Sequence, residues 1–288
     1  MSNETKGWWF GFCGVAIFAL TLPFTHLAVR EFDPLFVSLG RTVVAACLAL
    51  PLLLLTRQPW PDLSDLRSLA FVIGGVIFGF PIFSALAMTS VPASHGGVVL
   101  GALPLATALM ATIFAGERPS PGFWIWSLCG SLAVVIYALW DGGGGFAVGD
   151  VWLALSVLAA AMGYAAGGQL SKKLGGWQVI SWALVVALPI TAPLAWLHAG
   201  AITFHESWAA WASFIYVALF SQFIGFFFWN KGLSLGGIAR VGQVQLLQTF
   251  MTLAASALFF GDALTWRSVG FAMIVAACVY LGREAATK

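Results

Sequence analysis

Residues 207–230 read SWAAWASFIYVALFSQFIGFFFWN, 24 positions without a charge, closed by Glu206 on one side and Lys231 on the other. A helix needs about 20 mostly apolar residues to cross roughly 30 Å of hydrocarbon, and it satisfies every backbone group within the segment. This run is one crossing. Similar intervals recur along the chain: 23 residues between Lys6 and Arg30, 22 between Arg118 and Asp141, 21 between Asp150 and Lys172, and 21 between Arg240 and Asp262. From Ser68 to Gly116 lie 49 uncharged residues, enough for two crossings. The run Val91-Pro92-Ala93-Ser94-His95-Gly96-Gly97 supplies the turn chemistry that divides them.

Composition agrees with that pattern. Only 8% of the 288 residues are charged, against about 25% in a soluble domain, and the mean hydropathy is +0.94. Such a chain is not a soluble enzyme, a disordered segment or a nucleic-acid binder, which would need a basic face. The net charge of +2 says nothing about partners. Cys13, Cys47, Cys129 and Cys278 all fall in apolar stretches with no CxxC or metal-site spacing, so they read as small buried hydrophobes. The first apolar run is too long for the core of a cleavable signal and reads as a helix that stays.

The sequence therefore predicts an all-α integral membrane protein with ten transmembrane helices, at about 8–29, 34–55, 68–89, 95–115, 121–140, 150–171, 177–198, 207–230, 239–260 and 265–283. With the N-terminus in the cytoplasm, the inner side collects Lys6, Arg57, Arg67, Arg118, Lys172, Lys173, Lys231, Arg240, Arg283 and Lys288, and the outer side only Arg30 and Arg267. That bias places both termini in the cytoplasm, as an even number of crossings requires. The expected location is the cell inner (plasma) membrane, multi-pass. Residues 1–141 form a first five-helix unit, 142–149 a Gly-rich linker and 150–288 a second unit. Gly142 to Gly145 lack the Lys-Ser/Thr of a phosphate loop, and a joint between halves explains them better.

The halves repeat. A shift of 145 pairs Thr89 with Ser234, Thr107 with Thr252, Phe114 with Phe259, Gly116 with Gly261, Glu117 with Asp262 and Ser120 with Thr265, without a gap. Five helices per unit is an odd number, so the second unit enters the membrane upside down. Inverted repeats are a recurring architecture of secondary transporters, with substrate held near the midplane between them.

These residues resemble a known family. Ala93 to Ser120, ending in Gly116-Glu117-Arg118-Pro119, is similar to the end of the fourth helix in the EamA repeat of the drug/metabolite transporter superfamily. Arg41 resembles that repeat's helix-two arginine. Asn230-Lys231-Gly232 with Gly261-Asp262 looks like the second copy, although Thr249 stands where Pro104 stands in the first. Within the superfamily the Trp- and Phe-rich chain is most similar to bacterial exporters of the YddG type, associated with aromatic amino acids. The resemblance implies a substrate cavity between helices one, three, four, six, eight and nine.

Polar side chains on those helices nominate a lining. On helix eight, Gln222, Phe226, Trp229 and Asn230 share one face; helix nine carries Gln243, Gln245 and Gln248. Helix six carries Tyr164 with Gly167, Gly168 and Ser171, and helix three Phe80, Phe83, Ser84 and Ala87. Amides can bond a carboxylate and an ammonium while rings take an apolar side chain or a cation, a combination suited to an amino acid. The competing reading is that these amides bond one helix to another. The nominated substrate-binding residues are Phe83, His95, Tyr164, Gln222, Trp229, Gln243 and Gln245. His95, at the start of helix four, could bind a carboxylate or change charge near neutral pH. Arg41 could bind an anion, but it reads first as an anchor that fixes helix two by pairing with Asp33 or by snorkelling outward. Pro23 and Pro81 are hinge candidates; Gly75/Gly79 and Gly97/Gly101 have the spacing of helix-packing contacts.

No acid lies mid-helix, and proton-coupled carriers usually use an intramembrane carboxylate or histidine. The expectation is facilitative export of aromatic and other neutral amino acids by alternating access. The alternatives are export of drugs, lipophilic cations or other small metabolites on the same fold and, remotely, an intramembrane enzyme, for which no nucleophile–base pair is evident. No cofactor, metal, nucleic acid or obligate protein partner is expected; the partners are a small-molecule substrate and the bilayer.

Overall fold

The chain opens on a helix because Ser2 accepts from the Thr5 amide, and its first span runs to Ala28 as two pieces, α1 (Asn3–Phe18) and α2 (Thr21–Ala28). In this computed structural model residues 1–141, 148–202, 205–260 and 265–285 are described, except the side chains at 94, 95, 98, 138–141, 201, 256, 259, 260, 268 and 283. The break between α1 and α2 frees carbonyls that side chains from the far half satisfy: Thr252 Oγ1 donates to Ala19 O (2.7 Å) and Gln248 Nε2 to Phe18 O (3.4 Å). Buried backbone acceptors need such partners.

The rest follows in two similar series. In the first half come α3 (Pro34–Leu55), then α4 (Leu63–Val72), a π-helical segment Ile73–Gly79 and α5 (Phe80–Met88) as one span. After them come α6 (Ala93–Val99), a 3-10 turn Leu100–Ala102, α7 (Leu103–Ala115) and α8 (Pro121–Asp141). In the second half α9 (Val148–Leu174) and α10 (Gly176–His198) are followed by α11 (Trp208–Tyr216), a π-helical segment Val217–Ile224 and α12 (Gly225–Gly236) as one span. Then come α13 (Ile238–Gly242), a 3-10 turn Gln243–Leu247, α14 (Gln248–Phe260) and α15 (Trp266–Ala285). The third span of each half carries a π-helix and the fourth segment a 3-10 turn, so the distortions repeat along with the order.

Six helices among the described residues are long and apolar enough to cross a membrane: Asn3–Ala28, Pro34–Leu55, Leu63–Met88, Val148–Leu174, Gly176–His198 and Trp208–Gly236. Shorter apolar helices cover Leu100–Ala115, Pro121–Tyr137 and Val269–Gly282. The expected continuous helices 95–115 and 239–260 are instead interrupted, each by its 3-10 turn.

Glycines set close crossings between the halves. Gly7 and Gly11 of α1 lie against Gly236 and Gly232 of α12, and a Cβ on Gly232 would stand 2.6 Å from the Gly11 amide nitrogen. On the other side Gly75 and Gly79 meet Ala159 and Gly163 of α9, as their spacing predicts. Small residues at such crossings let backbones approach where hydrocarbon provides no hydrophobic drive. With α3 against α10 and α8 against α15 as well, the core lies between the two series rather than within either.

Cysteine placement corrects the sequence reading. Cys13, Cys47 and Cys129 are exposed on apolar helices and only Cys278 is buried. On a spanning helix an apolar residue is equally satisfied by lipid, so burial does not follow from hydrophobicity.

Candidate functional site

Two layers of side chains meet near the middle of the spans. The first is aromatic. Tyr164 of α9 sits 5.2 Å from Trp229 and 5.9 Å from Phe226, ring centre to ring centre. Phe18, at the end of α1, closes the group at 5.1 Å from Phe226, 6.2 Å from Trp229 and 6.4 Å from Tyr164. All four are buried, and Phe18 comes from the opposite half to the others. The rings are tilted, stacked or edge-on, arrangements that aromatic quadrupoles favour. Trp229 Nε1 is buried without a hydrogen-bond partner among the described residues.

The second layer is polar and lies one helical turn away from Phe226. Gln222, fully buried in the π-helical segment of the second half, accepts at Oε1 from Arg41 Nε (2.9 Å) and Nη2 (2.6 Å). Its amide nitrogen donates to the carbonyl of Val76, in the π-helical segment of the first half (3.0 Å). A π-turn widens the helix by one residue and turns carbonyls away from their usual amide donors, and such turns concentrate at functional sites. Beside Gln222, Ser221 and Thr21 share a 2.8 Å hydroxyl bond that again joins the halves.

Of the sequence-nominated residues, Tyr164, Gln222 and Trp229 come together here. Gln243 and Gln245 do not join them: the 3-10 turn sends Gln243 against Gly282 of α15 and Gln245 toward Thr107 of α7, whose hydroxyl lies 3.5 Å away. Both polar atoms of the Gln243 side chain, Oε1 and Nε2, and Nε2 of Gln245 are buried without partners among the described residues. Phe83 faces sideways, stacked on Trp152 at the rim of an apolar groove of about 460 Å³ with Gly79, Leu158 and Met162. His95 lies outside the described side chains. Pro81 opens α5 directly after a π-helical segment and Pro23 lies in the first turn of α2, so both hinge candidates adjoin an irregular backbone.

Arg41 corrects the sequence reading. It neither snorkels nor pairs with Asp33, being 2% exposed and bound to Gln222. Asp33 instead caps α3 by accepting from the Leu35 and Phe36 amides (2.8 and 3.0 Å) and lies 3.2 Å from His198 Nδ1. Phe18 was not nominated either. Its signal was a position level with the glycine-rich face of the first helix, which acquires meaning only once Gly14 is seen against Trp229.

At one end of the molecule ionic contacts join the halves. Glu117 accepts from the amides of Ile238 (2.7 Å) and Ala239 (2.8 Å), Arg240 meets Glu4 at 2.5 Å, and Lys173 bonds Asp62 (2.7 Å) and Asp65 (2.8 Å). At the other end Ser207 donates through its hydroxyl and amide to Glu31 (both 2.6 Å), which holds that carboxyl below the usual carboxylate range.

Comparison with known proteins agrees with this architecture. The model of the EamA-like transporter family matches residues 5–139 and again 147–282. The "Uncharacterized transporter YdeK" of Bacillus subtilis (strain 168) is 45% identical over 289 residues, 99% of each chain. "Uncharacterized transporter YcxC" of the same organism is 21% identical, covering 92% of this chain and 88% of its own. A crystal structure 18% identical superposes with a TM-score of 0.77 over 99% of this chain and 98% of that one, a shared fold. A multi-pass, all-helical chain with two copies of this repeat is a transporter rather than an enzyme, and it belongs to the EamA-like transporter family.

Proposed function

We propose that this transporter exports amino acids, aromatic and other neutral ones, across the cell inner membrane by facilitative alternating access. The observation that carries the reading is the ring of Phe18, Tyr164, Phe226 and Trp229, assembled from both halves beside buried amide and hydroxyl groups. Rings at this height give an apolar side chain an aromatic surface, while the neighbouring polar atoms suit the charged end of the same molecule. In this reading the ten helices form two inverted five-helix repeats with both termini cytoplasmic, and the halves rock about the ring. Residues 142–147, where the two units would join, lie outside the described residues. The two interrupted helices and two π-segments give the backbone places to bend. Mid-span acids are absent from the sequence, which favours movement down the substrate gradient.

The test is counterflow in liposomes holding the purified chain, with labelled phenylalanine against excess unlabelled Phe, Trp, Thr, Lys or sucrose and no ion gradient. Accumulation driven by the neutral amino acids and not by sucrose supports the reading. Phe226→Leu, which keeps volume and removes a ring, should weaken competition by tryptophan more than by threonine. Absence of counterflow from folded protein transfers the assignment to other small metabolites; a strict need for a proton gradient refutes the facilitative part.

A further inference from the structure

We infer that Arg41 is the binding group for a carboxylate on the transported molecule, so that the carrier accepts anionic or zwitterionic cargo and rejects cations that lack a carboxylate. The inference rests on the transporter reading of the same site and narrows it to a chemical class.

The argument begins with an incomplete charge. Arg41 is 2% exposed, yet its partner is the neutral Gln222, and no acidic side chain bonds it among the described residues. Asp33, the acid on the same helix, is engaged at the α3 N-terminus. A guanidinium carries five N–H donors in a fixed fork. Gln222 takes two of them, one on Nε and one on Nη2, which leaves the Nη1 pair and the second Nη2 hydrogen. Taking a cation out of water costs several kcal/mol unless an anion and further acceptors compensate it. If the role were to tie α3 to the second half, a neutral donor would bond Gln222 as well at far lower cost.

The surroundings hold that fork in a defined direction. Gln222 must point Oε1 at Arg41, because its amide nitrogen is committed to Val76 O at 3.0 Å. Both positioning groups come from π-helical segments, one in each half, so two costly distortions converge on a single guanidinium. Phe226, four residues after Gln222 on the same span, links this fork to the aromatic ring, its centre 5.9 Å from that of Tyr164. A carboxylate received bidentately by the fork leaves the rest of its molecule directed at Phe226 and Tyr164. The match is an aromatic amino acid or an arylalkyl carboxylate. The charge that favours these disfavours a lipophilic cation.

The experiment uses the purified full chain, with phenylalanine, 3-phenylpropionate (which lacks the ammonium) and phenethylamine (which lacks the carboxylate) as probes. Thermal stabilisation and competition for labelled phenylalanine are the readouts. Both carboxylates should bind and phenethylamine should not. Arg41→Gln should weaken carboxylate binding about 10- to 100-fold, as loss of a charged hydrogen-bond donor predicts. Arg41→Lys should recover part of it, through charge without the fork. If Arg41→Gln fails to fold, Gln222→Glu serves: it is nearly isosteric, places a permanent carboxylate on the fork and should exclude added carboxylates from stable protein. Phenethylamine binding as well as phenylalanine overturns the inference, as does undiminished carboxylate binding in Arg41→Gln or Gln222→Glu. Binding of 3-phenylpropionate through Arg41 without any binding of phenylalanine keeps the anchor and removes the amino-acid reading. Phenylalanine binding that both variants leave untouched does the reverse.

Discussion

Removing the carboxylate of Glu117 tests whether the Gly116-Glu117-Arg118-Pro119 motif joins the two halves. Gly116 ends α7 in the left-handed conformation (φ 63°), which an L side chain rarely adopts. The chain then turns so that Glu117 reaches the first two amides of α13 at 2.7 and 2.8 Å. Those amides have no partner within their own helix, and Gly237 before them offers no side-chain cap. An N-terminal cap is worth about 0.5–2 kcal/mol, and a carboxylate serving two amides belongs at the upper end. Glu117→Ala should therefore cost about 2 kcal/mol, or roughly 4–8 °C in Tm at about 2–4 °C per kcal/mol. Glu117→Gln keeps one acceptor and turns an NH2 toward the other amide, so it should lose at least half as much. Arg118→Ala, exposed and adjacent, should stay within about 0.5 kcal/mol. Tryptophan fluorescence during heating in detergent reads all three, and amide exchange should quicken at both Ile238 and Ala239 in Glu117→Ala, at one of them in Glu117→Gln and at neither in Arg118→Ala. An alanine variant melting within a degree of the parent, with those amides still protected, would refute the reasoning.

Two further outcomes follow from the same structure. Gly232→Ala puts a Cβ 2.6 Å from a backbone nitrogen of α1, and should sharply lower the yield of monodisperse protein on size exclusion; Gly74→Ala, with nothing within 4 Å, should behave like the parent. The Glu31 carboxyl is lowered chiefly by the Ser207 hydroxyl and then by its amide, so its contribution is present above the ordinary carboxylate value of 4.5 and is lost as pH falls below it. A Tm difference between parent and Glu31→Gln should exist at neutral pH and close in acid; a difference unchanged by pH would overturn that assignment.

Much of the fold was legible because charge is so costly in hydrocarbon that its intervals mark the spans. The glycine spacing at Gly75 and Gly79 was also readable, since a four-residue interval places both on one helix face whatever lies opposite. The 3-10 turns were not. Gln243 and Gln245 suggested one face of a regular helix, and the tighter winding at Gln243–Leu247 sends them to different neighbours. Phe83 looked equivalent to Phe226 in composition and differs in direction, toward Trp152 and a lateral groove.

By itself the sequence determined that the chain is an α-helical membrane protein, that it is built twice, and where most spans begin and end, because these depend on local hydropathy and on charges a few residues apart. Only the tertiary structure decided that Arg41 meets Gln222 rather than Asp33, and that Phe18 closes a ring with Tyr164, Phe226 and Trp229. Those pairings join residues some 150 to 200 positions apart across crossings that glycines bring close, and a side chain's partner there depends on how two helices are rotated against each other. The free energy of a buried charge depends on that rotation, and the order of residues along one helix does not contain it.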